Sequence, residues 1–540
     1  MNRARTTTPS TAGTVEAEAP SDPAGGRSAP VVVQSGAARW ALLWVLPYLI
    51  LGIVWAFTNP PGAAPDEPDH LVKAIAAGRL DIGVPFAGSY GTDLPSLRNA
   101  SIARTVLIPA NVAPDGYGCS RFQPDETAAC LPATPVGGAE LVERTATVGA
   151  YPIFAYLPIG LATHFADTPT SAFQVARLVS LLVSIGLLFL AVWHLTRWLG
   201  RGAAVGLAAA VTPMAVFAAS SVSISGVEVM SAAAVAAVVV VMTRSPASLA
   251  APETLLVLGV SASALALSRQ LGVVALGLLA LIALARGGTR ILWEQVRQRR
   301  RPVIAMLVVV GLSVVAVAVW ELRYDHPVLT GPVLSAGAFG TFVDESFSYL
   351  HQGVGVFGWL DTPLPGPAIG LWVFVAVTII GGALLVGRRA DRLTIVGSLL
   401  VIVVVAYVTY ATVFYPIGGS LQGRHLLPIF MIVPILAGLA LAEHFQLTGR
   451  TDAVLRLSAV VGVTMAVLQL LSLLVNGRRY AVGLAGPIWF VPFAQWAPRF
   501  GWWPWFIVAT VAVSWLAVMI IRGGRSPVAL MTREPADVGG

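Results

Sequence analysis

Charged residues, lysine and cysteine are scarce in this chain of 540 residues. Only 11% of the residues are charged, two are cysteine, and Lys73 is the only lysine, whereas 56% are hydrophobic. A soluble globular domain has about 25% charged residues, so this composition excludes that class of protein. It indicates an integral membrane protein.

Several catalytic and nucleotide-binding motifs are also missing. The chain has no Walker A motif, no H-E-x-x-H, no nucleophile elbow and no cysteine pairs spaced for zinc. Residues 353–358 match G-x-G-x-x-G, but no strand–helix unit surrounds them and no acid follows about 20 residues on. ATP-driven transport, dinucleotide binding and standard hydrolase chemistry therefore have no support in the sequence.

Hydrophobic runs long enough to span a bilayer recur along the chain. A spanning helix needs about 20 mostly apolar residues. We therefore predict an all-α polytopic integral membrane protein with about twelve transmembrane helices. The predicted spans are approximately 40–57, 172–195, 203–221, 227–242, 255–267, 271–285, 303–320, 369–385, 393–413, 426–441, 457–475 and 502–521.

Arginine is concentrated in the termini and in alternate loops, for example at Arg299, Arg300 and Arg301. Loops rich in Lys and Arg stay cytoplasmic, so we predict a multi-pass protein of the plasma membrane with both termini inside. Inner loops that face anionic lipid explain the net charge of +7, and no nucleic-acid partner is expected.

These assignments divide the chain into three regions. Residues 1–38 are predicted to be a disordered cytoplasmic tail, 39–525 the transmembrane domain, and 526–540 a cytoplasmic C-terminal tail. Within the transmembrane domain, residues 58–150 form a long first extracytoplasmic loop and residues 322–366 an extracytoplasmic re-entrant loop.

Both cysteines, Cys119 and Cys130, fall in the first long loop. A disulfide between them would stabilise the fold by up to about 3 kcal/mol in the chain-entropy estimate. The alternative is two free thiols.

An acidic cluster follows the first span, where Pro65 is followed by Asp66, Glu67, Pro68, Asp69 and His70. Proline in the first turn and acids near the amino terminus are typical of a helix start. Asp66, Asp69, His70 and Lys73 then share one helical face. In a purely structural alternative, Asp66 caps the helix, Asp69 pairs with Lys73, and His70 is a solvated surface residue.

Further polar groups gather in the other predicted outer loops. Ionisable groups at a membrane boundary are costly unless they face water or one another, so their placement on one side indicates a shared polar cavity that opens outward. Besides the acidic cluster, this set contains Arg269, His351, Trp359, Asp361, Gln422, Arg424, His425, Arg478 and Arg479.

The arrangement resembles the GT-C superfamily of glycosyltransferases that use polyprenyl-phosphate sugars. One span is followed by an acidic pair at the head of a long outer loop with juxtamembrane helices, and residues 151–158 and 176–178 resemble the return to the second span. Residues 66–70, 358–365 and 422–428 are similar to motifs of a bacterial family of predicted membrane proteins within that superfamily. The resemblance covers roughly residues 40–525. At His425 the chain departs from the aromatic residue expected after the arginine.

The resemblance implies an inverting glycosyltransferase that moves a sugar from a polyprenyl-phosphate donor to an envelope glycan or lipid acceptor on the outer side. Asp66 would be the general base, with Glu67 as its catalytic partner. Arg424 is the first choice to bind the donor phosphate, and Arg478, Arg479 and Arg269 are further candidates.

The remaining polar residues of the set are expected to line the substrate pocket: His70, Lys73, Trp359, Asp361, His351, Gln422 and His425. The sequence does not decide whether a cofactor is used; Asp66, Glu67 and His70 are the ligands expected for a divalent cation such as Mg²⁺ or Mn²⁺. For Trp359 the alternative is an anchor at the membrane interface.

Two other classes of function also fit twelve spans. A transporter or flippase predicts ionisable residues at the centres of spans and an internal repeat, and neither is found in the sequence. A non-catalytic protein of envelope-polysaccharide assembly predicts that Asp66→Asn is tolerated, because asparagine can still cap a helix.

Overall fold

The computed structural model describes residues 36–91, 94–132, 138–323, 335–417 and 419–528. Almost all of the two predicted tails, residues 1–35 and 529–540, lies outside these ranges.

The predicted all-α polytopic architecture is confirmed, with fewer candidate spans than the twelve predicted. Among the described residues, nine helices are long and apolar enough to cross a membrane, or up to eleven segments if each of two bent helix pairs is one span. The predicted span 255–267 is a shorter apolar helix, α9 (Pro252–Ser268). The single-helix candidates are α1 (Ala37–Thr58), α5 (Pro169–Leu199), α8 (Ser225–Arg244), α10 (Gln270–Ala283), α12 (Arg300–Arg323), α14 (Gly366–Val386), α15 (Arg389–Thr409), α18 (Thr451–Val482) and α19 (Trp502–Gly524). The bent pairs are α6 (Val205–Ala210) with α7 (Pro213–Ala219), and α16 (Leu427–Phe430) with α17 (Ile432–Leu447).

Proline explains the sharper of the two bends. The pair α6 and α7 turns by 82° at a short break. Pro213 cannot continue the hydrogen bonding of α6, but it suits the first turn of a new helix. The side chain of Thr212 caps that new helix by accepting a hydrogen bond from the amide of Ala215.

Buried ion pairs mark the two ends of the bundle. At one end, Arg177 of α5 pairs with Glu67 and Arg269 pairs with Glu228 of α8. At the other end, Arg244 pairs with both Asp391 of α15 and Glu443 of α17. The first end is called the outer end here, as the arginine distribution predicts; the second is the inner end.

The long outer loop is not purely helical. It contains α2 (Glu67–Gly78), α3 (Leu94–Ile102), α4 (Leu157–Ala162) and an antiparallel sheet in the order β1 (Val84–Pro85), β2 (Arg104–Pro109), β3 (Leu141–Ala146). This sheet is not among the elements predicted from the sequence. Its signal is the alternation in β2, where Val106 and Ile108 point inward and pack against the apolar face of α2.

The segment predicted to be re-entrant, residues 322–366, is described from residue 335 onward. There it forms a helix over Ala336–Gly355, called the outer helix here, and a hairpin of Val356–Phe357 with Thr362–Pro363. Trp359 lies in the hairpin turn and is only 3% exposed, so the interfacial-anchor alternative is wrong. This hairpin reaches the amino-terminal side of α2.

Candidate active site

The predicted helix start is confirmed, and it leaves the carboxylate of Asp66 free. Asp66 is the N-cap residue of α2, yet its side chain makes no capping hydrogen bond and has no hydrogen-bond partner among the described residues. Its backbone is in the left-handed region, with φ of 56°. Asp and Asn tolerate this conformation better than most residues. The capping alternative for Asp66 is therefore wrong, and its half-buried carboxylate is left without a partner among the described residues.

Glu67 is placed differently from the expectation that it is catalytic. Its side chain is completely buried, and Arg177 donates to both carboxylate oxygens at 2.8 and 2.6 Å. The amides of Val222 and Ala64 donate to the same carboxylate at 2.9 and 3.3 Å. Because all of its lone pairs are directed to protein donors, Glu67 holds α2 in place and has no oxygen left for substrate.

Arg177 fixes the segment that leads into Asp66. Its remaining N–H groups donate to three backbone carbonyls at 2.6 to 3.0 Å, those of Ala56, Asn59 and Pro60. A guanidinium fork with five donors is well suited to tie several acceptors together. The buried pair of Glu67 and Arg177 therefore connects α1, α2 and α5 directly behind Asp66.

His70 is buried, so its alternative as a solvated residue is wrong. Its Nδ1 lies 2.6 Å from the hydroxyl of Tyr156, and the two rings stack with centroids 5.9 Å apart. Burial, assisted by the charges of Arg424 and Arg269, lowers the pKa of His70 to about 3. His70 is therefore neutral at physiological pH. It contributes a polar side chain to the site but no positive charge.

Asp69 and Lys73 do not form the predicted structural pair. Asp69 accepts a hydrogen bond from the amide of Thr147 at 3.1 Å, whereas Lys73 donates to the carbonyl of Gly149 at 2.6 Å. Burial raises the pKa of Asp69 and lowers the pKa of Lys73 to about 8. Lys73 is 1% exposed, so it anchors the return of the outer loop and does not line the substrate pocket.

Arg424 provides positive charge in the electrostatic neighbourhood of Asp66. It is only 8% exposed, and its guanidinium donates no hydrogen bond to any described residue. Asp66, Arg269 and Tyr151 are its electrostatic neighbours. A buried donor group without an acceptor is costly, and such a group in a cavity indicates an anionic ligand.

Arg269 shares this region but is already neutralised. It interrupts the helical path between α9 and α10 in an extended conformation and donates to Glu228 at 2.9 Å through Nε. Glu228 is fully buried. Arg269 therefore adds positive electrostatic potential near Arg424, although one side of its guanidinium already binds Glu228.

Asp361 and Arg479 pair with each other, which differs from the substrate and phosphate contacts expected for them. Arg479 is fully buried and contacts Asp361 at 3.1 Å. It also donates to the carbonyls of Ser120, Gln123 and Glu126. This pair holds the cysteine-containing loop against the hairpin of the outer helix.

Trp359 and Arg478 are structural in the same way. The indole of Trp359 donates to the carbonyl of Gly62 at 3.1 Å, so it supports the segment before Asp66 from behind. The guanidinium of Arg478 donates to the carbonyls of Leu484 and Gly486, which closes the turn after α18. Neither side chain is placed to contact a sugar or a phosphate.

The last three predicted pocket residues lie around Arg424 or the outer helix. His351 Nε2 lies 3.0 Å from the carbonyl of Leu364, which ties the outer helix to the segment that leads into α14. Gln422 and His425 flank Arg424 in a short turn of 3-10 helix over Gly423–Leu426 and are both partly exposed. The Oε1 atom of Gln422 is buried without a hydrogen-bond partner among the described residues.

The disulfide joins Cys119 to Cys130, with a Cα–Cα distance of 6.0 Å. The loop that it closes supplies the carbonyls bound by Arg479. We expect Cys119→Ser with Cys130→Ser to lower the free energy of unfolding by about 3 kcal/mol, because the unfolded chain gains loop entropy. Thermal unfolding in detergent measures this, and an unchanged midpoint in the double variant would contradict it.

The ligand set expected for a divalent cation does not assemble. Glu67 points toward Arg177, away from Asp66, and His70 is engaged by Tyr156. Across the described parts of the chain, no group of three or more His, Cys, Asp or Glu side chains is arranged to hold a metal ion.

Four residues that interact with the predicted site residues were not themselves predicted from the sequence: Arg177, Glu228, Tyr151 and Tyr156. The motif over residues 151–158 contains both tyrosines, and the motif over 176–178 contains Arg177. Those motifs were assigned only to the return of the chain into the membrane. The polar residues of these motifs lie at a predicted membrane boundary, and that position was the signal that could have indicated a role in the site.

A family profile for predicted membrane proteins, DUF2142, matches residues 49–433. The chain belongs to the DUF2142 family. This match includes the acidic cluster, the hairpin with Trp359 and the turn with Arg424. No curated protein matches this member of the family significantly.

Two solved structures are similar to this DUF2142 protein. They are ArnT from Cupriavidus metallidurans in the apo state, at 15% identity, and the same protein bound to undecaprenyl phosphate, at 16% identity. Each has a TM-score of 0.42 and covers 91% of this chain and 76% of the ArnT chain.

Proposed function

We propose that this protein is an inverting glycosyltransferase that takes a sugar from a polyprenyl-phosphate donor at the outer end of the bundle. One observation carries the proposal: the carboxylate of Asp66 and the buried guanidinium of Arg424 are electrostatic neighbours, and neither has a hydrogen-bond partner among the described residues. A base and an anion-binding group in one region suit attack on a carbon that bears a phosphate leaving group.

An apolar groove beside Arg424 suits the lipid part of the donor. Its volume is about 330 Å³, and it runs between the outer helix, α14, α15 and α16. Tyr349, Trp372, Leu427 and Phe430 line it, and it reaches Gly423, the residue before Arg424. An isoprenoid chain in this groove would bring its phosphate to the guanidinium.

In the proposed reaction, Asp66 accepts the proton of the acceptor hydroxyl. The acceptor oxygen forms a bond to the anomeric carbon while the bond from that carbon to the phosphate oxygen breaks on the opposite face, which inverts the configuration. The electron pair of the broken bond stays on the polyprenyl phosphate. Arg424 stabilises the charge that develops there, and Arg269 contributes less because Glu228 occupies its fork.

The proposed reaction does not depend on a divalent cation, because the expected ligands Asp66, Glu67 and His70 do not assemble into a cation site. The proposed acceptor is an envelope glycan or lipid, because the site is proposed to open to the outer side of the membrane. No step of the proton transfer described above passes through a cation.

The ion pairs of the described residues do not favour the transporter alternative. Arg177 with Glu67, Arg269 with Glu228, and the group around Arg244 lie toward the two ends of the bundle. A transport pathway is expected to place ionisable groups near the bilayer midplane.

Replacing Arg424 tests the phosphate contact. We expect Arg424→Met to lower kcat/KM by about 10²- to 10³-fold, because the leaving phosphate loses a preorganised donor. Arg424→Lys should recover only part of this, since lysine lacks the planar fork. Initial rates are measured with polyprenyl-phosphate sugars extracted from a deletion strain as donor.

Arg499→Gln is the control for Arg424, because Arg499 is an exposed arginine of the outer end whose guanidinium lies over the ring of Phe500. Its rate should equal that of the wild type. Full activity of a folded Arg424→Met protein would contradict the assigned phosphate contact.

A further inference from the structure

We propose that the inner end of the bundle carries a binding site for one anionic membrane phospholipid, between α10 and α15. The site combines an apolar groove for an acyl chain with an arginine-rich segment for the phosphate headgroup. It lies far along the bundle from Asp66 and Arg424, so the proposal does not depend on the glycosyltransferase activity.

The groove has a volume of about 500 Å³ and is lined on one side by α10 and on the other by α15. Leu281 and Leu393 stand at its edges and are 61% and 64% exposed, so the groove opens to the side of the bundle. In a membrane-spanning bundle this direction faces lipid. An acyl chain is the apolar ligand that is always present there.

Polar groups mark the inner part of the groove. Arg286 lines it and is held in place by Asp391 at 2.8 Å and by the hydroxyl of Thr394 at 3.1 Å. Ser398 also lines the groove; it is 5% exposed, and its hydroxyl has no hydrogen-bond partner among the described residues. A hydroxyl of this kind can donate to the ester carbonyl of a phospholipid.

The chain that follows Arg286 is strongly basic. Residues 286–301 contain one acid, Glu294, and the following arginines: Arg286, Arg290, Arg297, Arg299, Arg300 and Arg301. Most of this segment is α11 (Thr289–Gln298), which connects α10 to α12 at the inner end. Basic residues beside a membrane surface attract anionic headgroups.

Exposed side chains of α11 fit a position at the membrane surface. Trp293 is 59% exposed, and the guanidinium of Arg297 lies 5.3 Å from the centre of its ring. Arg290 is 87% exposed and pairs with Glu294, one turn along. Tryptophan and arginine together are typical of helices that lie in the interface. The charge and the groove therefore point to one occupant, an anionic phospholipid.

Two independent variants test the two halves of the site. Gly397→Phe fills the groove, because Gly397 lines it and a side chain added there meets no atom within 4 Å. The double variant Arg290→Gln with Arg297→Gln removes two positive charges that are proposed to attract the headgroup. The full chain is purified in detergent, offered an equimolar mixture of phosphatidylglycerol and phosphatidylcholine, and analysed by native mass spectrometry.

Each variant has a matched control. Gly381→Phe places the same ring on α14, where an added side chain also meets no atom within 4 Å, away from the groove. Arg456→Gln removes an arginine that is 82% exposed and pairs with Asp452 one turn away, as Arg290 does with Glu294. Both controls should bind lipid as the wild type does.

We expect the wild type to retain one phosphatidylglycerol in preference to phosphatidylcholine. The double arginine variant should lose about tenfold or more of this preference. Gly397→Phe should abolish retention of the bound lipid. Equal retention of the two lipids by the wild type, or an unchanged Gly397→Phe protein, would overturn the proposal. Retention of a polyprenyl phosphate from the source membrane in place of the phospholipid would overturn the assigned ligand.

Discussion

Asp66→Asn lowers the rate of sugar transfer by at least about 10²-fold, and by up to about 10⁴-fold, if Asp66 is the general base. Asparagine cannot accept the proton of the acceptor hydroxyl at physiological pH. It keeps the size of the side chain and tolerates the left-handed backbone that Asp66 adopts, with φ of 56°. The loss should appear in kcat, whereas KM for the donor should change little because the phosphate contact belongs to Arg424.

Folding controls separate this effect from loss of structure. The side chain of Asp66 makes no hydrogen bond with the described residues, so Asp66→Asn should unfold at the wild-type temperature. Asp452→Asn removes a carboxylate that is 65% exposed at the inner end and should leave both activity and stability unchanged. An Asp66→Asn protein with wild-type kcat would exclude Asp66 as the base.

Glu67→Gln has the largest expected effect on stability. It leaves the guanidinium of Arg177, which is 1% exposed, without its charge partner. Removing one partner of a buried ion pair typically destabilises a protein by about 3–5 kcal/mol. Most of the variant should therefore fail to reach the membrane in folded form, and the remainder should unfold at a clearly lower temperature in detergent.

Glu253→Gln is the matched control for Glu67→Gln, since Glu253 also accepts from an arginine, Arg197, at 2.6 Å. That pair is partly exposed, with side chains 24% and 30% accessible, and such pairs contribute about 0 to 1 kcal/mol. A folded Glu67→Gln protein as stable as Glu253→Gln would show that the buried pair does not support the site.

The sequence was sufficient to predict the spans and the position of Asp66. Long apolar runs have few alternatives to a spanning helix, because backbone polar groups in lipid must be satisfied within the segment. Proline and acids after the first run marked the start of α2 within one residue of the observed Glu67. Both signals are local, so a single sequence contains them.

Roles that depend on distant contacts were not predictable in this way. Glu67 and Arg177 are 110 residues apart, and Arg479 meets Asp361 across 118 residues. From sequence, an arginine beside an outer loop looks the same whether it binds phosphate, as proposed for Arg424, or backbone carbonyls, as Arg478 does. Only the positions of the acceptors separate the two cases.

The most direct test of the proposed function compares lipid-linked sugars and envelope glycans in a deletion strain that carries the wild type or Asp66→Asn. Mass spectrometry of the lipid extract and composition analysis of the glycan are the two readouts. We predict that the Asp66→Asn strain accumulates one polyprenyl-phosphate sugar and lacks one glycan residue. Full rescue by Asp66→Asn, with both profiles equal to those of the wild type, would contradict the proposed transfer reaction.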